Sequence, residues 1–210
     1  MDCPDLCVNE PTGASGSPSR TIVLAHGAGR GWDSPALEAI SLGLADRRFR
    51  VVRFEFPYMV RRGQDGTRRP PDRQPVLLET WHAVIDRLGS NGLLIGGKSM
   101  GGRMASLVAD ERKVAGLVCL GYPFHPPGKP EKLRTEHLAD LETPTLILQG
   151  ERDRFGTPDE VAAYDLSASI EVQWVADGDH DLVPRKRSGR TAEKNWSEAA
   201  EAIRCWWDAV

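Results

Sequence analysis

The stretch LLIGGKSMGGRMAS, residues 93 to 106, places one serine between glycines where an apolar run stops and a helical pattern begins. Gly97, Ser99 and Gly101 give the spacing G-x-S-x-G. A serine hydroxyl attacks a carbonyl only when a base takes its proton, and it must stand clear of its surroundings to do so. A sharp turn from a buried strand into a helix supplies that exposure, and the glycines let strand and helix approach closely. The bare pattern is weak, and a glycine-rich structural turn is the competing reading. LLIGG before Ser99 and MGGRMASLVADER after it supply the strand and the helix that a nucleophile elbow requires.

An activated serine needs a histidine as base and an acid to orient the histidine. Where such an elbow is used, the chain order is serine, acid, histidine. Of the five histidines, only His180 follows a later strand-end acid, in the turn-rich ADGDHDL; His26, His82, His125 and His137 come too early or lie on helical segments. The acid is less determined. Asp153 in LILQGERDRFG stands just past a strand, with Glu151 and Asp179 as substitutes. The developing oxyanion needs two donors. Met100, the residue after the serine, offers one N–H by position, and Ala28 in LAHGAGRG, behind Gly27, offers the second.

These groups need a frame that delivers them to one place. Continuous apolar runs occur at 21–26, 50–56, 92–97, 114–122, 144–150 and 170–176. They lack the alternation of a half-wetted sheet, so they read as parallel strands covered on both faces. Helical periodicity fills the intervals at 34–48, 75–88, 99–112 and 157–168 and ends the chain at 192–210. The expected architecture is a mostly parallel, doubly wound α/β sheet of about six or seven strands with flanking helices. It occupies residues 20–210 as one domain, preceded by a flexible or edge-lying leader at 1–19. Two interruptions, the Pro- and Arg-rich 57–73 and the Pro-rich 122–132, follow strands and read as ligand-facing loops.

Length and charge exclude several classes. With 210 residues, 40% hydrophobic content and a net charge of -3, the chain can bury one sizeable core and has no general pull toward nucleic acid. PRKRSGR, 184–190, is a basic patch without interleaved aromatics, a poor nucleic-acid surface. No apolar run reaches the roughly 20 residues that span a bilayer. The first twenty residues lack the basic and apolar parts of a signal peptide, so a cytoplasmic location is expected. Cys3, Cys7, Cys119 and Cys205 are too few and scattered for a disulfide framework or a zinc site.

The set LAHGAG, GGKSMGGR, LQGERDRFG and GDHDL, in that order, resembles the α/β-hydrolase superfamily. With FPYM, RRPPDR and HPPGKPEKLR added, it is similar to the small lidless KANL/Tex-type hydrolases, relatives of dienelactone hydrolase. The resemblance spans about residues 20 to 208. It implies an α/β-hydrolase fold, a Ser99, Asp153 and His180 triad with Ala28 and Met100 as oxyanion donors, no cofactor and no metal. Only about twenty residues separate LVCLGYP from PTLILQG, where larger esterases insert a cap, so a cap is expected to be minimal or absent.

Charge adds a substrate expectation. Residues 137–183 carry eleven acidic and two basic side chains, whereas 20–75 carry eleven arginines against six acids. Arg30, Arg61, Arg62, Arg69 and Lys98 are candidates for a basic rim that would attract an anionic acyl substrate; the competing reading is solvated surface. On the last helix Trp196, Ile203 and Trp207 recur at packing positions, and an exposed Trp206 would mark a homodimer face. Together these residues read as a serine hydrolase of small acyl substrates. An amidase, thioesterase or peptidase would use the same residues. A binding module working through its basic loops is the reading from another class.

Overall fold

The computed structural model describes residues 2–12 and 20–210. The strands are β1 (Leu6–Asn9), β2 (Arg20–Ala25), β3 (Phe49–Phe54), β4 (Leu94–Lys98), β5 (Gly116–Leu120), β6 (Thr145–Gly150) and β7 (Ile170–Val175), joined in the order β1-β3-β2-β4-β5-β6-β7. Every adjacent pair is parallel except β1 with β3. The α/β-hydrolase fold expected from the sequence is therefore present with seven strands. The inner strands β4, β5 and β6 are buried along their whole length, because helices cover both faces.

Between strands run α1 (Pro35–Ala45), α2 (Pro57–Asp65), α3 (Gln74–Leu88), α4 (Met100–Ser106), α5 (Ala109–Arg112) and α6 (Pro158–Val161), and α7 (Ala192–Ala209) closes the domain. Pro35, Pro57 and Pro158 open their helices at the first position, where the missing N–H costs nothing. One core, with Phe54, Phe56, Trp81, Met104 and Tyr122, fills one face of the sheet. The other, with Leu37, Ile40, Leu94, Ile203 and Trp206, lies under α1 and α7.

The leader is edge-lying in part, as the sequence allowed, and three other features differ from the sequence reading. The leader divides: residues 6–9 are the antiparallel edge strand, so this part lies at the edge of the sheet, while 13–19 fall outside the described residues. Arg53, only 5% exposed, fastens this strand by donating to Asn9 Oδ1 at 3.0 Å. The stretch 57–73 does not begin as a loop. Its first nine residues form α2, whose Tyr58 and Met59 are buried while its arginines face outward, an amphipathic pattern that the Arg-rich composition hides. The helix expected over 157–168 shrinks to α6, and that over 99–112 breaks between α4 and α5. Finally, Trp206 is buried in the α7 core, so the exposed dimer face does not exist at that residue.

From Gly121 to Pro144, between β5 and β6, the only helical element is a single 3₁₀ turn at Glu136–Leu138, so no helical cap stands over the strand ends. All four cysteines are free. No helix among the described residues is long and apolar enough to cross a membrane.

Candidate active site

Parallel strands that all point one way bring their C-terminal loops together. Ser99 follows β4, Asp153 follows β6 and His180 follows β7. The Ser99 Oγ–H faces His180 Nε2 at 2.8 Å, and His180 Nδ1–H faces Asp153 Oδ2 at 2.7 Å. The structure thus joins serine, histidine and acid in one hydrogen-bonded chain.

The backbone at the serine explains the glycines. Ser99 sits at φ 51° and ψ -114°, a strained conformation for a side-chain-bearing residue. Close packing of α4 on β2 enforces it. A Cβ at Gly101 would lie 2.5 Å from Ala25 O and 2.6 Å from His26 O, and one at Gly97 2.2 Å from Ala25 O. Gly27 packs on the elbow, its position for a Cβ lying 3.5 Å from Lys98 Cγ and 3.7 Å from Ser99 Cβ.

Asp153 is fully buried, and its carboxylate accepts three hydrogen bonds. Oδ2 takes Gln149 Nε2 at 3.0 Å besides the imidazole, and Oδ1 takes the Phe155 N–H at 2.9 Å. Gln149 is itself a buried hub. Its Oε1 accepts from Tyr122 N at 2.7 Å, and its Nε2 also faces the carbonyls of Tyr122 and Gly156, each at 3.2 Å. The substitutes for the acid are engaged elsewhere: Glu151 accepts from Asp177 N, and Asp179 Oδ1 closes its own turn by accepting from Asp181 N and Val183 N.

The loop that carries His180 is tight, with Asp177 and Leu182 both at positive φ. It is held from behind by α7. Asn195, fully buried, donates to the carbonyls of Ala176 and Leu182, and Trp196 Nε1 donates to Asp181 O at 2.9 Å. In front, Phe155 stacks on the imidazole with centroids 4.1 Å apart. Beside it Gly121, just past β5, contributes only space: a Cβ there would lie 2.8 Å from His180 O and 3.2 Å from its Nδ1.

A cavity of about 300 Å³ opens over the serine, lined by Gly27, Ala28, Arg30, Ser99, Phe155 and His180 among others. The Ala28 and Met100 N–H groups have no hydrogen-bond partner among the described residues. Met100 is the first residue of α4, where an N–H has no acceptor inside the helix. The Ala28 loop is fixed from behind by Tyr58, whose hydroxyl donates to the carbonyls of Gly27 at 3.2 Å and Ala28 at 3.1 Å. His26 anchors the same loop. Its Nε2 accepts from Phe56 N at 3.0 Å, its Nδ1 faces Gly27 O at 2.7 Å, and burial pushes its pKa down to about 4.

The basic rim is smaller than the arginine count implies. Arg30 lines the cavity, is exposed and has no ion pair among the described residues. Arg62 donates to Gly29 O at 2.9 Å and, with Arg30, lines an adjoining cavity that Asp33 and Glu55 also line. Arg61 pairs with Asp72 and Arg69 with Asp65, and neither lines the serine cavity, so the rim loses both. Lys98 lines the cavity as a buried side chain paired with Asp181. Among the described residues no group of three His, Cys, Asp or Glu side chains could hold a metal ion.

Gln149, Tyr58 and Asn195 are absent from any reading of the sequence as site residues. Each is a polar side chain inside a regular element, and only its burial identifies it.

A family model described as an alpha/beta hydrolase domain matches residues 18–208. Among solved structures, the chain is similar in fold to a serine hydrolase without lid from Xanthomonas campestris, at 18% identity and TM-score 0.71, covering 96% of this chain and 88% of that one. It is also similar to dienelactone hydrolase from Anabaena variabilis, at 21% identity and TM-score 0.69, with 97% and 90% covered. A third is an alpha-beta serine hydrolase homologue from Coxiella burnetii, at 20% identity and TM-score 0.69, with 95% and 89% covered.

Proposed function

We propose, from the premise that the chain belongs to the alpha/beta hydrolase domain family, that it is a serine hydrolase cleaving small acyl esters through an acyl-enzyme. The observation that carries this reading is the unbroken chain from Ser99 Oγ through His180 to Asp153, at 2.8 and 2.7 Å, beside an open cavity.

In the first half-reaction Ser99 Oγ attacks the substrate carbonyl while His180 Nε2 takes its proton. Asp153 accepts from Nδ1–H throughout, so the imidazole keeps the tautomer that leaves Nε2 free and the imidazolium is stabilised where it forms. The Ala28 and Met100 amides, unpartnered in the free protein, receive the oxyanion. Loss of one such donor typically costs about 100- to 1000-fold in turnover. His180 then protonates the leaving oxygen, and the bond from the acyl carbon to that oxygen breaks. Water, deprotonated by His180, attacks the acyl-enzyme and frees Ser99 for another cycle.

The absence of a cap favours small or accessible esters, since nothing closes over a long chain. Arg30, charged and unpaired at the cavity wall, favours an acyl substrate that carries a carboxylate or phosphate. The test is intact mass after treatment with a fluorophosphonate probe, which labels serines activated by a working base and oxyanion hole. One adduct on the wild type and none on Ser99→Ala is the expected result. No adduct on either would refute the reading and leave a binding module in its place.

A further inference from the structure

Lys98 precedes Ser99 at the end of β4, and its side chain is only 9% exposed, which an ammonium tolerates only with a partner. The partner is Asp181, the residue after His180, whose Oδ1 lies 3.2 Å from Nζ although that side chain is 68% exposed. One ion pair therefore joins the neighbour of the nucleophile to the neighbour of the base. The rest of the histidine loop is held from the α7 side by Asn195 and Trp196, and from the loop after β6 by Arg152, which donates to the carbonyls of Asp177, Gly178 and Val183, and by Glu151, which accepts from Asp177 N. On the elbow side it has the His180–Ser99 hydrogen bond and this pair.

We propose that the Lys98–Asp181 ion pair is a latch across the active site, which holds His180 in register with Ser99 and cancels the net charge beside the imidazole. The inference rests on the hydrolase reading of Ser99 and His180. Lys98 is here a positioning residue: it acts through His180 and need not touch substrate.

The charged groups around the imidazole make the electrical half specific. Asp153 faces Nδ1 from the loop after β6, Arg30 lines the same cavity from the loop after β2, and Asp179 and Asp181 share the histidine's own loop. Burial holds the pKa of Lys98 below its ordinary value, and the nearby Asp181, Asp153 and Asp179 oppose that fall. With both partners ionised the latch is neutral. Removing Asp181 leaves an uncancelled positive charge near His180, and removing Lys98 leaves a negative one. The two changes should move the imidazole in opposite directions, each by several tenths to about one pH unit for a partly screened unit charge nearby. The opposite signs read the electrical half of the proposal, and the labelling rate at Ser99 reads the positioning half.

The experiment is a proton NMR titration of His180, assigned with His180→Asn, in wild type, Asp181→Asn, Lys98→Met and the double variant. Alongside it, the rate of fluorophosphonate labelling at Ser99 is followed at a pH above the titration. Asp181→Asn should lower the His180 midpoint, Lys98→Met should raise it, and the double variant should return close to wild type. Each single variant should label about tenfold more slowly, as expected for a misplaced base. Shifts of the same sign, no shifts, or undiminished labelling of Asp181→Asn would overturn the proposal. Asp181 is exposed, so its variant folds even if Lys98→Met does not, and Lys98→Gln, which also removes the charge but keeps a polar end, then serves as the second arm. Failure of the wild type to label would overturn the hydrolase reading itself, whereas the NMR shifts need no turnover and still decide the pairing.

Discussion

Replacing Gln149 by methionine keeps its volume and removes its polar atoms, so it isolates what the hub beneath the triad does. The Tyr122 N–H loses its 2.7 Å acceptor, Gly156 O loses its donor at 3.2 Å, and Asp153 Oδ2 loses one of the three hydrogen bonds that its buried carboxylate accepts. Tyr122 O keeps the Phe124 N–H and is not orphaned. A buried group left unpaired costs about 1–3 kcal/mol, and a hydrogen bond to a charged group about 1.5–3 kcal/mol. Partial relaxation around the thioether brings the expected total to about 4 kcal/mol, which for a chain of this size lowers Tm by about 8–16 °C. Turnover should also fall at a temperature where the variant is still folded, because Asp153 is then free to turn away from Nδ1. Differential scanning calorimetry with ester hydrolysis at 20 °C decides the case. A Tm within about 3 °C of wild type would show that water replaces the glutamine and that the hub has no structural role.

Other substitutions read other parts of the site. Ser99→Gly should abolish hydrolysis as Ser99→Ala does, yet stabilise the fold by about 1–2 kcal/mol by relaxing the positive φ, a difference that parallel thermal melts would reveal or deny. Gly101→Val should separate α4 from β2 and cost more than about 3 kcal/mol, with loss of soluble protein; an active, stable variant would contradict the close contact with Ala25 and His26. His26 is held neutral well below its ordinary pKa of 6.5 by burial. Between about pH 6.5 and 4 the unfolded chain therefore binds more protons than the folded one, and stability falls as pH falls. Urea midpoints across that window should show a loss of about 1–3 kcal/mol, reduced in His26→Gln, and a flat profile would refute the assignment.

The six long strands are visible in the sequence because a strand buried on both faces must be continuously apolar, and VAGLVCL or TLILQG can be little else. The edge strand is not. LCVN is too short to carry a period, and its place comes from register with β3, more than forty residues away. α2 is hidden because arginine and glycine dominate its composition while two buried residues, Tyr58 and Met59, decide its packing. Ser99, Asp153 and His180 are legible since each ends a recognisable run and their order along the chain is restrictive. The rim is misjudged for the opposite reason: counting arginines ignores that Asp72 and Asp65 neutralise two of them. Gln149 and Asn195 leave no trace in the sequence, because an amide inside a strand or helix looks the same whether it meets water or a catalytic loop.

The ties from Asn195 and Trp196 to the histidine loop also bear on synthesis. A ribosome makes the strained elbow first, then the acid, then the base, and only afterwards the helix that fixes the base in place. A nascent chain that already contains Ser99, Asp153 and His180 still lacks, while α7 is unmade, the ties that hold the histidine loop from behind. On the hydrolase reading, a proteolytic cut ahead of Ala192 would remove these ties and slow turnover without removing any of the three residues.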